Sequence, residues 1–284
     1  MLGKLIRYDA KIQFKFLGGV SLICLIISLF AGITGKLSDA YSKLFILDML
    51  SYISFALWIL SMILMVCGVF IYAVVFFRRN LFRDEGYLMH TIPVTETQLF
   101  MSKLLTSTLA VYASFVVAFV CLCLATMRVD FYIDEIKALI PESGVIGGGA
   151  FWTLTIASLI LSVPSYLCQF FASIAIGYTW KIKSGKHVNR DLLSVAVFAI
   201  LYVIQQVLGL VQMFGYFFVW LKPFEGGLEE RLDAFMMSDV AYAETELMDY
   251  LQGILGMSLA FTIIMSVVLV WLSLRKMNRQ LNLE

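Results

Sequence analysis

Gln205, Gly209 and Gln212 recur at four and three residues within an otherwise apolar stretch, with Gln206 beside them. At helical spacing such positions share one face. Ser162, Tyr166, Gln169 and Ser173 form a second polar face, next to Pro164, which can kink a helix. Ser54, Trp58, Ser61, Met65 and Gly68 form a third. Amides and hydroxyls on apolar helices do one of two things. They bond neighbouring helices, at roughly 0.6 kcal/mol per contact, or they line a mildly polar, aromatic and Met-bearing cavity suited to an amphipathic or lipid-like cargo. The pattern alone leaves both readings open.

No arrangement for covalent or acid–base catalysis accompanies them. His90 has no carboxylate pair or second histidine close in sequence, and His187 lies between Lys186 and Arg190. The cysteines Cys24, Cys67, Cys121, Cys123 and Cys168 all fall in uncharged runs without metal-ligand spacing, so buried free thiols are expected and no metal site. Gly185-Lys186 precedes His187 and lacks the earlier glycine of a phosphate loop. The chain is therefore expected not to be an enzyme, and to take any pumping energy from another protein. No aromatic-basic pattern points to nucleic acid.

Six uncharged runs must position these residues: Phe16 to Gly35, Met49 to Phe77, Leu104 to Met127, Ser143 to Trp180, Leu192 to Leu221 and Tyr250 to Leu274. Each reaches the ~20 residues a helix needs to cross ~30 Å of hydrocarbon. A mean hydropathy of +0.90 agrees, and the absence of apolar–polar alternation argues against strands. None of the runs holds Asp, Glu, Lys, Arg or His, which removes the usual means of proton or sodium coupling.

Segments 1–15, 78–103, 181–191 and 275–284 hold fifteen of the Lys and Arg residues, against six in 36–48, 128–142 and 222–249. The acids run the other way, six against fourteen. Cationic loops stay inside, so both termini are expected in the cytoplasm. Residues 1–35 read as an uncleaved first span rather than a secretory signal. The expected fold is all-α and polytopic, a single transmembrane domain over 1–284. Its six spans cover about 16–35, 49–77, 104–127, 150–180, 192–221 and 250–274.

Three segments outside the runs carry further information. In 2–15, Lys4, Arg7, Lys11 and Lys15 form a basic face, and Leu2, Leu5 or Ile6, Ile12 and Phe16 an apolar one. That pattern fits either an interfacial helix on an anionic inner leaflet or a topogenic charge cluster. In the loop 78–103, Asn80 to Tyr87 can form about two helical turns ended by Gly86. Pro93 keeps Ile92 extended, and Thr95 with Gln98 caps a helix starting at Glu96. The result is either a docking helix on rigid stems or a solvated turn. Lys103 is expected at the lipid boundary. The outer loop 222–249 carries eight acids against two cations. A short helix is expected over 227–237, and another from near Ser238 or Glu244 into the last span.

The sequence from Phe77-Arg78-Arg79-Asn80-Leu81-Phe82 through Arg83-Asp84-Glu85-Gly86-Tyr87-Leu88 to Thr91-Ile92-Pro93-Val94 and Ser102-Lys103 resembles the permease subunits of type-2 ABC exporters from Gram-positive bacteria. The six spans, the N-terminal segment and the long last outer loop resemble that family as well. Within it, the similarity is greatest to exporters of amphipathic peptides such as phenol-soluble modulins. The resemblance implies an N-terminal elbow helix and a cytoplasmic coupling helix that seats in the ATPase. That role falls on Arg83, Asp84, Glu85, Gly86 and Tyr87. It further implies that the second and fifth spans line the route, which singles out Ser54, Trp58, Ser61, Gln205 and Gln212 as cargo-pathway residues. It also implies two cytosolic ATPase subunits binding ATP and Mg, a second copy of the permease, and a place in the plasma membrane. Two other functions fit the same spans: a peptide-immunity or scaffold subunit without net transport, and a passive channel or secondary transporter.

Overall fold

A computed structural model of the chain describes residues 2–41, 44–82, 94–127, 149–180, 189–221 and 240–280. Among them all regular structure is helical: α1 (Leu2–Ala40), α2 (Phe45–Phe82), α3 (Glu96–Thr126), α4 (Gly149–Thr179), α5 (Arg190–Leu221) and α6 (Val240–Gln280). All six are long and apolar enough to cross a membrane. By length and composition they mark a multi-pass membrane protein. Large apolar side chains stand outward, among them Ile26, Leu64, Val116, Leu159, Leu192 and Val211. Apolar faces so extensive are stable only when something apolar covers them.

The helices overrun the uncharged stretches. A 39-residue α1 is about 58 Å long at 1.5 Å per residue, well beyond the ~30 Å hydrocarbon core. It runs unbroken from Leu2 through the first apolar stretch, so residues 2–15 are helical but are not separated from the span by an elbow. The helix i→i+4 ladder continues because no Pro interrupts it, and Gly18 and Gly19 face open space rather than a turn. α3 begins where its cap dictates: Thr95 is extended, and its side chain accepts a hydrogen bond from the Gln98 backbone N–H at 3.3 Å. α6 starts at Val240, within the window expected from the sequence. The proposed 227–237 helix lies outside the described residues.

The chain forms two compact units, Met1–Ile140 and Pro141–Glu284. In the first, α1 and α3 bond through residue pairs 93 or 94 apart in sequence, from Asp9–Ser102 and Asp9–Lys103 to Gln13–Thr106 and Gln13–Ser107. A constant separation means the two helices run parallel. Against α2 the partners move backward as α1 advances: Phe16 stacks on Tyr72, Cys24 meets Ser61, Thr34 bonds Ser54 and Ser38 bonds Asp48. α2 is therefore antiparallel to both. Small residues let the backbones approach. A Cβ at Gly32 would collide with the Leu124 carbonyl oxygen.

The second unit, taken by itself, has the same order. α4 and α6 are parallel, joined by Ser165 and Ser266 and, one helical stretch earlier, by Leu154 against Gly256. α5 runs back along α4: Phe170 stacks on Phe198, Gly177 abuts Ser194, and the Tyr178 hydroxyl donates to Asp191. The facing ends of the two helices are capped. Asn189 accepts from the Asp191 N–H at 3.1 Å, and the Arg190 guanidinium donates to the carbonyls of Tyr178 and Trp180 at 2.6 and 3.2 Å. A cation on the last carbonyls of a helix is stabilising.

Candidate functional site

Polar side chains gather in the second unit. α4 presents Ser158, Ser162, Ser165, Tyr166 and Gln169, α5 presents Gln205, and α6 presents Ser258 and Thr262 around a cavity of about 120 Å³, with Leu161 and Leu259 completing its wall. Spacing explains the convergence: 158, 162, 165, 166 and 169 are one stripe of α4, and 258 and 262 one of α6. Pro164 lies inside this stretch, where it cannot donate to the carbonyl four residues earlier.

The hydrogen-bond directions decide what this cavity offers. Ser158, Ser162 and Ser165 donate to the carbonyls of Thr155, Leu159 and Leu161 at 2.7–2.8 Å. Ser258 and Thr262 donate likewise to Leu255 and Ser258 at 2.9 and 2.8 Å. Each of these hydroxyl protons is thus used on its own helix, which leaves the Ser and Thr oxygens as acceptors; the Ser165 oxygen already accepts from the Ser266 hydroxyl at 3.0 Å. Gln169 is the reverse. It is only 2% exposed, and its Nε2 has no hydrogen-bond partner. A buried amide N–H without an acceptor is costly, about 1–3 kcal/mol, so this group is poised to bond whatever enters. None of the lining side chains is charged at neutral pH.

The first unit holds a different constellation. Asp9 and Lys103 are both fully buried, with Nζ 2.6 Å from Oδ1. Ser102 donates to the other carboxylate oxygen at 3.0 Å, and the Phe76 ring lies 4.6 Å from the ammonium. One helical turn on, the Gln13 amide donates to Thr106 and Ser107 at 3.2 and 3.0 Å. Sequence reasoning put Lys103 at the lipid boundary. The structure adds that its side chain is buried inside the unit, where Asp9 on α1 supplies the countercharge and Phe76 and Ser102 complete the enclosure. Burying an ion pair repays its desolvation only when the remaining bonds are made; here Ser102 takes the second carboxylate oxygen and the Phe76 ring faces the ammonium.

The expected site residues separate. Lys4, Arg7, Lys11 and Lys15 are all exposed along one side of α1. Ser54 bonds Thr34 at 2.6 Å, Trp58 is buried with Ala31 and Ala125, and Ser61 meets Cys24 at 3.5 Å. These three make contacts between helices of the first unit. Gln205 lines the cavity of the second. Gln212 is half-buried on the same side of α5 but is not part of the cavity wall. Arg83, Asp84, Glu85, Gly86 and Tyr87 lie outside the described residues.

Sequence reasoning missed Asp9, Gln13 and the α6 hydroxyls. Asp9, Gln13, Leu17, Cys24, Ser28 and Ala31 form one stripe, opposite the basic one. A lone acid facing away from four cations was the available signal. The α6 signal was the four-residue spacing of Ser258, Thr262 and Ser266.

Comparison with protein-family models, with curated proteins and with solved structures finds no match.

Proposed function

We propose that this chain is the membrane permease subunit of an ATP-driven exporter of the type-2 ABC kind, moving an amphipathic cargo, foremost a peptide, out of the cell. Two separate cytosolic ATPase subunits hydrolyse ATP with Mg, and a second copy of the chain completes the pore. The protein sits in the plasma membrane of a Gram-positive bacterium with both termini in the cytoplasm. The observation that carries the reading is the pair of stems around the 83–93 segment. α2 continues past its apolar run to Phe82, and α3 starts at Glu96, ahead of its own. The stems are locked together: Phe77 meets the Phe100 ring edge-on at 5.6 Å, and Leu81 and Leu99 are buried. Packed helical stems give force a path between the cytoplasmic side and the spans. That supports a coupling role for Arg83 to Tyr87.

The test is co-expression with the candidate ATPase, purification, and cargo uptake into inverted vesicles. A stable complex whose uptake needs ATP is the expected outcome. Flux that survives ATP depletion would favour a second reading, a gradient-driven transporter. The buried Asp9–Lys103 pair, which lies outside the apolar runs, is the ionisable group that alternative would use.

A further inference from the structure

We propose that the cavity between α4, α5 and α6 binds an uncharged carboxamide or peptide group, its carbonyl taken by Gln169 Nε2 and its N–H by the hydroxyl oxygen of Ser162 or Thr262. This rests on the permease reading only for its purpose, as a subsite for peptide cargo.

The buried donor of the wall is the Gln169 amide N–H, which has no partner; the Tyr166 hydroxyl and the Gln205 amide are less buried donors on the same wall. The wall also carries the Ser162 and Thr262 hydroxyl oxygens, whose protons are already used on their own helices. A ligand that matches must accept at one end and donate at the other. A carboxamide does both within one planar group. A carboxylate supplies no donor, and its charge would meet no cation in the wall. An ammonium has donors in excess and leaves Gln169 unpaired. An alkyl group leaves the amide N–H as orphaned as before. The cavity is small, about 120 Å³, which admits a single peptide group rather than a folded peptide. Gln205, half-buried on α5, adds a second amide at the rim. Water could satisfy the same atoms, so the measurement must distinguish the two occupants.

The full chain is purified into lipid nanodiscs without any partner and titrated with tritiated N-acetyl-leucine N′-methylamide. N-acetyl-leucine, the same body with a free carboxylate, serves as competitor. The expected result is saturable binding that weakens about tenfold or more in Gln169→Leu, the effect of one lost hydrogen bond. Gln206→Leu, on an exposed neighbouring position, binds as the wild type does. N-acetyl-leucine displaces the probe at least tenfold less well. Absence of saturable binding, equal binding by Gln169→Leu, or equal displacement by the carboxylate overturns the proposal and leaves a hydrated cavity. Should Gln169→Leu fail to fold, Gln205→Leu is read by the same criterion. Because no ATPase is present, a negative result here leaves the permease reading intact, and a missing ATPase partner leaves this site intact.

Discussion

Among the described residues of the first unit, Asp9 and Lys103 are the charged side chains with no access to solvent. Removing one of them strands the other. Asp9→Ala or Lys103→Met should each destabilise the unit by about 3–5 kcal/mol, whereas Asp9→Leu combined with Lys103→Met should recover most of that loss. Unfolding in mixed micelles measures all three, and additive costs would show that the pair does not act as one. Neither partner was legible as buried. Charges counted by segment tell which side of a membrane a loop prefers, and that count treats every lysine near a span as a boundary marker. What it lacks is the second helix. Only the parallel register of α1 and α3 brings Asp9 to Lys103, and nothing local to residue 103 encodes that register. The polar faces of α4 and α5 were more legible, since Gln169 and Gln205 follow helical spacing within single segments. That their two stripes close on one cavity depends on α6, whose Ser258 and Thr262 look like ordinary span residues.

At the scale of the elements, close approach of backbones explains the packing better than apolar patterning does. A Cβ at Gly177 would strike the Ser194 backbone, and one at Gly253 the Tyr216 hydroxyl, whereas one at Gly209 meets nothing within 4 Å. Gly177→Ala should therefore cost about 1–3 kcal/mol through overpacking. Gly209→Ala should be neutral or stabilising by up to about 1 kcal/mol, since alanine replaces the most flexible residue in a helix. Thermal unfolding in detergent checks both, and an inverted order would refute the α4–α5 packing. Element boundaries were readable where a side chain fixes them: Thr95 sets the start of α3, as its hydrogen bond with Gln98 required. The unbroken course of α1 was not, because the alternation of Lys4, Arg7, Lys11 and Lys15 with apolar neighbours is the same for an interfacial helix and for the first turns of a longer one.

For the whole molecule, six apolar helices in two compact units carry the membrane assignment, and the proposed orientation rests on the charge bias of the loops. A cysteine introduced at Lys137 should react with a membrane-impermeant maleimide in intact cells, and one at Lys186 only after permeabilisation; the reverse pattern would invert the topology. Energy supply is the claim on which the functional account turns. The most direct measurement is ATP hydrolysis by the complex purified with its candidate ATPase, with and without Glu85→Lys. The account predicts a stable complex whose activity or assembly falls at least several-fold in the variant. Hydrolysis and assembly untouched by Glu85→Lys would contradict the coupling role of residues 83–87, and failure of any ATPase to associate would contradict the permease reading itself.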